Sequence, residues 1–447
     1  MIENHELELA RLAMQLAAKE GALKCRVCLS KSVSDIIGTL NGEIDKVSHC
    51  LDRSLTLTLF VDGRFGTFST NQLDEDSLQD FVHKAVAMTR ILAEDQLRDL
   101  PEPERCCKNA VTGDELGLYD PAYSEVTADE RRKLALDATV FGKLVDTDAY
   151  KLISEEGEYS DSEFDAVTLD SNGLFCRHKE TSFEYGVEVT VEATDGGKYS
   201  GFWWESSPSR SGLRLEDVGT TAICRAAAQI GTQPLPSGRY TMVVDSEVAS
   251  KLVTPVLNAL GGYSLQQGNS FMTDTLGRKV FGDGVTIIDD CHIKGQSGSR
   301  LFDSEGVATR PGPVIENGVV REYFINTYIS KKMGVEPTVE DCSRARMMPW
   351  PEPGLDRSAI LRRLGDGILV TGFNGGNCNS ATGDFSYGIE GFRFEGGQIT
   401  RPVSGMLITG NFLQLWNKLL AAGEDCRSCM AKLIPTLAFA DVDFSGV

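Results

Sequence analysis

The chain has 447 residues, 44 Lys plus Arg against 65 Asp plus Glu, and a formal net charge of −21. At roughly 150 residues per domain, that length predicts two or three domains. The acidic balance argues against a nucleic-acid binder, since phosphates are repelled unless basic residues concentrate, and Arg131-Arg132-Lys133 and Arg362-Arg363 are only short basic spots.

Residues 4–20 read as a helix, with Leu7, Leu9, Leu12, Ala13, Leu16 and Ala17 largely along one side. Alternating runs such as LTLTLFV (55–61) follow, with hairpin signals at Asn41-Gly42 and Asp62-Gly63. Leu78, Phe81, Val82, Ala85, Met88 and Leu92 recur at helical spacing from about 76 to 93. Residues 95–126 contain Pro and charge and read as a linker. Thr127 and Glu130 form a capping box that opens a helix to about Leu144. A long meander covers 150–204, with turns at Ser171-Asn172-Gly173 and Thr194-Asp195-Gly196-Gly197, and a helix covers roughly 215–230.

Asn41-Gly42 precedes Asp62-Gly63 by 21 residues, and Asn172-Gly173 precedes Asp195-Gly196 by 23. Each second turn leads to another Gly, at Gly66 and Gly201, which suggests one theme used twice. The breaker Gln233-Pro234-Leu235-Pro236-Ser237-Gly238 marks a domain boundary. Beyond it we expect a strand at 239–244, a helix at 246–260, hairpin turns at Asn317-Gly318 and Gly396-Gly397, and a helix at about 411–422, with strands and tight turns filling the rest. The stretch 365–397 holds ten Gly in 33 residues, which calls for bulges or close backbone approach by another chain.

Motif chemistry is thin. The five His (His5, His49, His83, His178 and His292) include no pair at i,i+4 on a helix, so no HExxH site exists. Cys25–Cys28 and Cys426–Cys429 share CxxC spacing but lie about 400 residues apart, and Cys25 and Cys28 point to opposite faces of one expected strand. There is no GxSxG elbow and no phosphate loop, and Asp289-Asp290 reads as a turn rather than a cation site. Twelve scattered Cys, no apolar run near the ~18 residues of a spanning helix, and an N-terminus without a secretory pattern lead us to expect a cytoplasmic protein with reduced thiols.

Longer segments carry a resemblance. FDSEGVATRPGPVIENGVV (302–320), VTGFNGGNCNSATGDFSYGIEGFRFEGGQITRPVSGMLITGN (370–411) and CMAKLIPTLAF (429–439), with LNGEID (40–45), FVDGRFGTFST (60–70) and HKAVAMTRILAEDQ (83–96), resemble the TldD/PmbA (TldD/TldE) family, once called modulators of DNA gyrase. The resemblance implies a protease assembly acting on unfolded proteins or ribosomally made peptides. TldD-type chains of the family bear zinc on a helical HExxxH with a later Cys. PmbA/TldE-type chains lack that site and pair with a TldD-type partner. Here the helix reads SEVASKLVTPVLNALGGYSLQQGNS (246–270), and Val253, Thr254 and Asn258 occupy the two His positions and the Glu position, with Cys429 as a remnant ligand position. Neutral Val cannot bind zinc, and Thr cannot serve as the general base.

The resemblance therefore implies a metal-free, PmbA/TldE-like subunit with no cofactor of its own, zinc being expected in a TldD-type partner. Its partner would be that chain or a second copy of itself, its substrates unfolded peptides, and it would touch neither nucleic acid nor membrane. The alternatives are an independent homodimeric peptide-binding protein, or an enzyme with an unrecognised site using Cys429 or Asp289-Asp290. The peptide-binding candidates are Asp303, Glu305, Gly306, Gly372, Asn374, Gly375, Gly383 and Asp384, where an extended peptide would add as a strand. The expected fold is α+β in two lobes. Residues 1–110 and 111–232 would form an N-terminal lobe of β-meander-plus-helix units, and 238–447 a β-rich C-terminal lobe.

Overall fold

The computed structural model describes residues 1–143 and 147–446. Two units of the same order open the chain. The first comprises helix α1 (Asn4–Lys19), strands β1 (Lys24–Leu40), β2 (Glu43–Val61) and β3 (Arg64–Thr70), and helix α2 (Glu75–Thr89). The second comprises α3 (Ala128–Ala138), β4 (Tyr150–Asp170), β5 (Phe175–Ala193), β6 (Lys198–Ser207) and α4 (Val218–Ala227). Asn41 and Gly42 have φ of 50° and 83°, and Asp62 and Gly63 have 50° and 73°, so both hairpins turn with positive φ at both central residues.

Packing carries the repeat. A Cβ on Gly66 would meet Thr89 Oγ1 of α2 at 2.6 Å, and one on Gly201 would meet the Ala222 carbonyl of α4 at 2.2 Å. In each unit a third-strand glycine lets the second helix lie against the sheet. Antiparallel pairing of β1 with β4, from Arg26↔Asp170 to Leu40↔Glu156, merges the units into one six-stranded sheet of order β3-β2-β1-β4-β5-β6. One core under α1 and α2 holds Val27, Leu57 and Val167, and another under α3 and α4 holds Ile37, Tyr159 and Tyr185. Arg131 of α3 grips buried Asp161 with two bonds, Nε to Oδ2 at 2.8 Å and Nη2 to Oδ1 at 2.9 Å. The Thr127–Glu130 capping box opens α3, with both reciprocal bonds made. That helix stops at Ala138 rather than running to Leu144, which, like Val447, lies outside the described residues.

The C-terminal lobe is built on β7 (Gly238–Val244), α5 (Ser250–Ala259), α6 (Gly262–Gln266), β8 (Ile287–Asp289), β9 (Gly312–Glu316), β10 (Val319–Val320), α7 (Thr327–Met333) and β11 (Ala345–Met347). It continues with α8 (Arg357–Leu364), β12 (Gly367–Cys378), β13 (Asp384–Glu395), β14 (Gln398–Asn411), α9 (Phe412–Leu415), β15 (Leu419–Ala422) and β16 (Leu437–Gly446). Its larger sheet runs β14-β13-β12-β7-β16-β15, and a further β14–β16 pairing closes five strands into a ring. Met242, Val244, Ile368 and Val370 face the main core, while Val243 and Leu369 face α8, as the two-residue period of a strand requires.

Two expectations for this lobe are corrected. The helix expected over 411–422 is one turn of α9, a 3-10 turn at Trp416–Lys418, and then β15, because Leu419–Ala422 pair with Leu437–Phe439 of β16. Helices α6, α7 and α8 stand where only strands and turns were expected; Asp356 caps α8 through the Ala359 N–H at 2.7 Å. Strand content of 40% against 22% helix, mostly in antiparallel ladders, makes the class α+β.

Candidate functional site

A cleft of about 860 Å³ opens between the lobes. One wall is β6 with α4, and the other is the glycine-bearing strand β12 with neighbouring residues of β13. Both strands offer backbone to it. Strand β6 ends its sheet, and β12 pairs with β7 only over Ile368–Val370, because β7 stops at Val244. Among the described residues, no strand pairs with the outer edge of β6 or with that side of β12 beyond Val370.

Aromatic and ionic groups line the space. Phe202 is 48% exposed and its ring stacks on Trp204 at 5.7 Å between centroids. Arg225 of α4 bonds Glu247 Oε2 at 2.6 Å, and Arg357 bonds Asp245 Oδ2 at 2.6 Å. Burial, and then neighbouring Asp245, push the Glu247 carboxyl above its ordinary range. Side chains cap part of the β6 edge, Gln229 Nε2 donating to the Ser200 carbonyl at 2.7 Å and Arg427 to the Trp204 carbonyl, so the open backbone lies mainly on β12 beyond Val370. With stacked aromatics and paired charges, such a cleft suits recognition of an extended chain.

The sequence candidates divide by location. Gly372 and Asn374 line the cleft, and Asn374 Nδ2 donates to Glu390 Oε2 at 3.1 Å. Gly375 is exposed, in a stretch of β12 where the register with β13 shifts. Gly383 ends the turn before β13 and Asp384 opens that strand; Asp384 is exposed and accepts from Asn411 and Thr382, which hold its carboxyl below the usual range. Asp303 is buried and accepts from the Glu305, Val307 and Glu340 N–H groups. Burial raises its carboxyl to about 6. Glu305 accepts from the Thr327 backbone and hydroxyl, and a Cβ on Gly306 would meet Leu174 at 2.4 Å. The DSEG turn is thus bonded within its own chain and docked on the N-terminal lobe. Part of the glycine enrichment also has an internal cause: a Cβ on Gly391 would meet the Leu369 carbonyl at 1.9 Å across the β12–β13 ladder.

Helix α5 holds Val253, Thr254 and Asn258, the residues that the resemblance sets at the metal-motif positions. Val253 is wholly buried in the main core, Thr254 is half-buried and Asn258 is exposed. Residues 253, 254 and 258 therefore bring no imidazole or carboxylate, and they do not fit zinc. Cys429 lies in the loop after β15, where its carbonyl accepts from Ser206 Oγ of β6. Burial lifts its thiol above the ordinary value, and that of Cys426 to about 11, so neither is an activated nucleophile. Asp289 accepts from the Ser343 and Arg344 N–H groups, while Asp290 pairs with Arg346 at 3.2 Å. His5, His49, His83 and His178 each lie beside a carboxylate, and His292 beside the Thr309 hydroxyl. Sequence reading missed Phe202, Trp203, Arg225 and Glu247; an aromatic run at the end of a meander was the local signal for the first two, and Arg225 and Glu247 had none.

This two-lobed architecture joins a six-stranded sheet made of two like units to a β-rich C-terminal lobe. Models of the PmbA/TldA metallopeptidase domain 1, central domain and C-terminal domain match residues 25–89, 121–230 and 237–446. The chain belongs to the PmbA/TldD family. It is 26% identical to the Metalloprotease PmbA of Escherichia coli O157:H7 over 444 residues, covering 97% of this chain and 95% of that one. A Bacteroides thetaiotaomicron crystal structure, named as a modulator of DNA gyrase, superposes with a TM-score of 0.94 at 38% identity, covering all of both chains. TldE from Thermococcus kodakarensis shares the fold, with a TM-score of 0.83 at 17% identity, covering 98% of this chain and all of that one.

Proposed function

We propose that this chain is the non-catalytic, substrate-handling half of a PmbA/TldD-type metallopeptidase. It works with a TldD-type chain that carries zinc, or with a second copy of itself, on unfolded or ribosomally made peptides in the cytoplasm. Val253 is the observation that carries the reading. Val253, which the resemblance sets at the first position of the metal motif, is a hydrocarbon side chain, 0% exposed, packed in the main core. A ligand there would have to leave that core. The cleft supports the substrate-handling role, because the stretch of β12 left unpaired beyond Val370 can hydrogen-bond a peptide of any sequence. Gly372, Asn374 and Gly375 are the proposed contact positions, with Gly383 and Asp384 shaping the turn that leads into β13. Asp303, Glu305 and Gly306 act as internal supports. The net charge of −21 supports the absence of direct nucleic-acid contact, and among the described residues no helix is long and apolar enough to cross a membrane.

The test is metal analysis and peptidase assay of the purified chain, alone and with a HExxxH-bearing family chain. The reading expects no bound zinc and hydrolysis of a denatured protein only in the mixture. Stoichiometric zinc, or hydrolysis by the chain alone, overturns it. A photo-reactive residue at Asn374 should label a bound peptide, whereas one at Glu305 should not; the opposite pattern moves the peptide out of the cleft.

A further inference from the structure

Residues 105–118 run beside the start of β5 and are tied to it along their length. The Arg177 N–H donates to the Ala110 carbonyl at 2.7 Å, the Lys179 N–H to the Gly113 carbonyl at 3.2 Å, and the Thr181 N–H to the Leu118 carbonyl at 3.0 Å. The same segment holds the C-terminal lobe. The Cys107 N–H donates to the Gly306 carbonyl at 2.9 Å, and the Ala308 N–H to the Arg105 carbonyl at 2.9 Å. Two thiols meet inside this junction. Cys107 is 3% exposed and Cys176 of β5 is 0% exposed, and they pack with Ala110, Leu174, Phe302 and Ala308.

Cys176 Sγ lies 3.4 Å from the Cys107 carbonyl and within hydrogen-bond reach of the Cys107 sulfur. The Asn109 and Ala110 N–H groups bond the same sulfur, and Asn109 Oδ1 lies 3.1 Å from it. The Cys176 thiol, and then those two backbone groups, hold the Cys107 thiol below its ordinary value against the effect of burial. Burial instead raises Cys25, Cys106 and Cys291 to about 11. A buried thiol without donors is inert, whereas a thiolate with a second thiol beside it can be oxidised and then resolved. Two cysteines serving only as small buried hydrophobes would need neither the donors nor the pairing.

We propose that Cys107 and Cys176 form a redox pair, in which Cys107 is the sulfur that attacks a peroxide and Cys176 resolves the product as a disulfide. The oxidant is hydrogen peroxide, little larger than water and so suited to a buried pair. The Cys107 thiolate attacks one peroxide oxygen and the O–O bond breaks. The leaving hydroxide takes up the proton that Cys107 had released, giving water and a sulfenic acid on Cys107. The Cys176 sulfur then attacks the Cys107 sulfur, the S–O bond breaks, and hydroxide departs as water with the Cys176 proton. Two thiols thus lose two electrons, and one peroxide becomes two waters. The bond fixes residues 105–110, with their hold on the Gly306 turn, to β5. In a reducing compartment it lasts only until a thiol reductant reopens it. The pair requires nothing of the peptidase reading and stands or falls apart from it.

The experiment treats the full chain with a few equivalents of hydrogen peroxide and maps its peptides without reduction. A Cys107–Cys176 disulfide should form before any other bond within the chain and reopen with dithiothreitol. It should raise the melting temperature by at least about 3 °C, because it closes a long loop of the unfolded chain. In Cys176→Ser, peroxide should leave Cys107 as a sulfenic acid that dimedone labels after unfolding. Cys25, buried with its thiol raised, should stay unlabelled. Mapping of the parent chain decides the matter if Cys176→Ser folds poorly. Peroxide that oxidises other cysteines and leaves this pair as thiols overturns the proposal. So does a bond that leaves the melting temperature unchanged, or equal labelling of Cys107 and Cys25.

Discussion

Arg427 lies over Trp203 with its guanidinium carbon 4.0 Å from the ring centroid, and so clasps the C-terminal lobe to the edge strand of the N-terminal sheet. The same guanidinium is 4.4 Å from the Trp204 centroid and bonds Glu205 at 3.0 Å. Arg427→Ala should therefore cost about 2 kcal/mol in chemical unfolding, through lost stacking and a carboxylate left without its partner. Arg427→Lys should recover less than half, because an ammonium cannot stack and bond in one plane. Equal stability of Arg427→Lys and the parent chain would show that charge alone suffices.

The helix contacts over Gly201 and Gly66 predict sharp steric limits. Gly201→Ala drives a methyl group into the α4 backbone, at 2.2 Å from the Ala222 carbonyl, and should cost at least about 2 kcal/mol. Gly312→Ala meets nothing within 4 Å and should change stability by less than about 0.5 kcal/mol. Thermal unfolding of both variants checks the contrast, and similar losses at the two sites would refute the packing account.

Asp303 gives a pH signature. Its folded carboxyl titrates near 6, whereas an unfolded Asp titrates at about 4. Between those values the folded chain binds more protons than the unfolded one. Its contribution is full below the lower value and is lost as pH rises through the upper one. Relative to Asp303→Asn, the parent chain should lose about 2 kcal/mol of stability between pH 4 and 7. Denaturant titrations at several pH values measure this, and a difference that stays constant across pH removes Asp303 as the cause.

Metal removal should leave the isolated chain unmoved. A resident ion that binds only the folded state would raise the melting temperature by mass action. With Val253, Thr254 and Asn258 on α5, a strong chelator should shift the melting temperature by less than about 1 °C. A fall of several degrees would point to an ion held elsewhere.

Features of fold and site that were legible in the sequence were those decided by a residue and its near neighbours. Asn41-Gly42 and Asp62-Gly63 turn hairpins because those residues tolerate positive φ. Thr127 and Glu130 cap a helix because their side chains reach each other's backbone. The tertiary structure decided whatever depends on partners distant in the chain. Leu419–Ala422 became a strand because β16 was there to pair with it, and Asp303 proved buried because backbone donors as far away as Glu340 converge on it. The cleft exists because β7 stops at Val244 and leaves part of β12 unpaired, facing β6 across the lobes. Local sequence carries side-chain chemistry and short-range periodicity, but a free edge is defined by what does not pair with it, and only the folded chain establishes that.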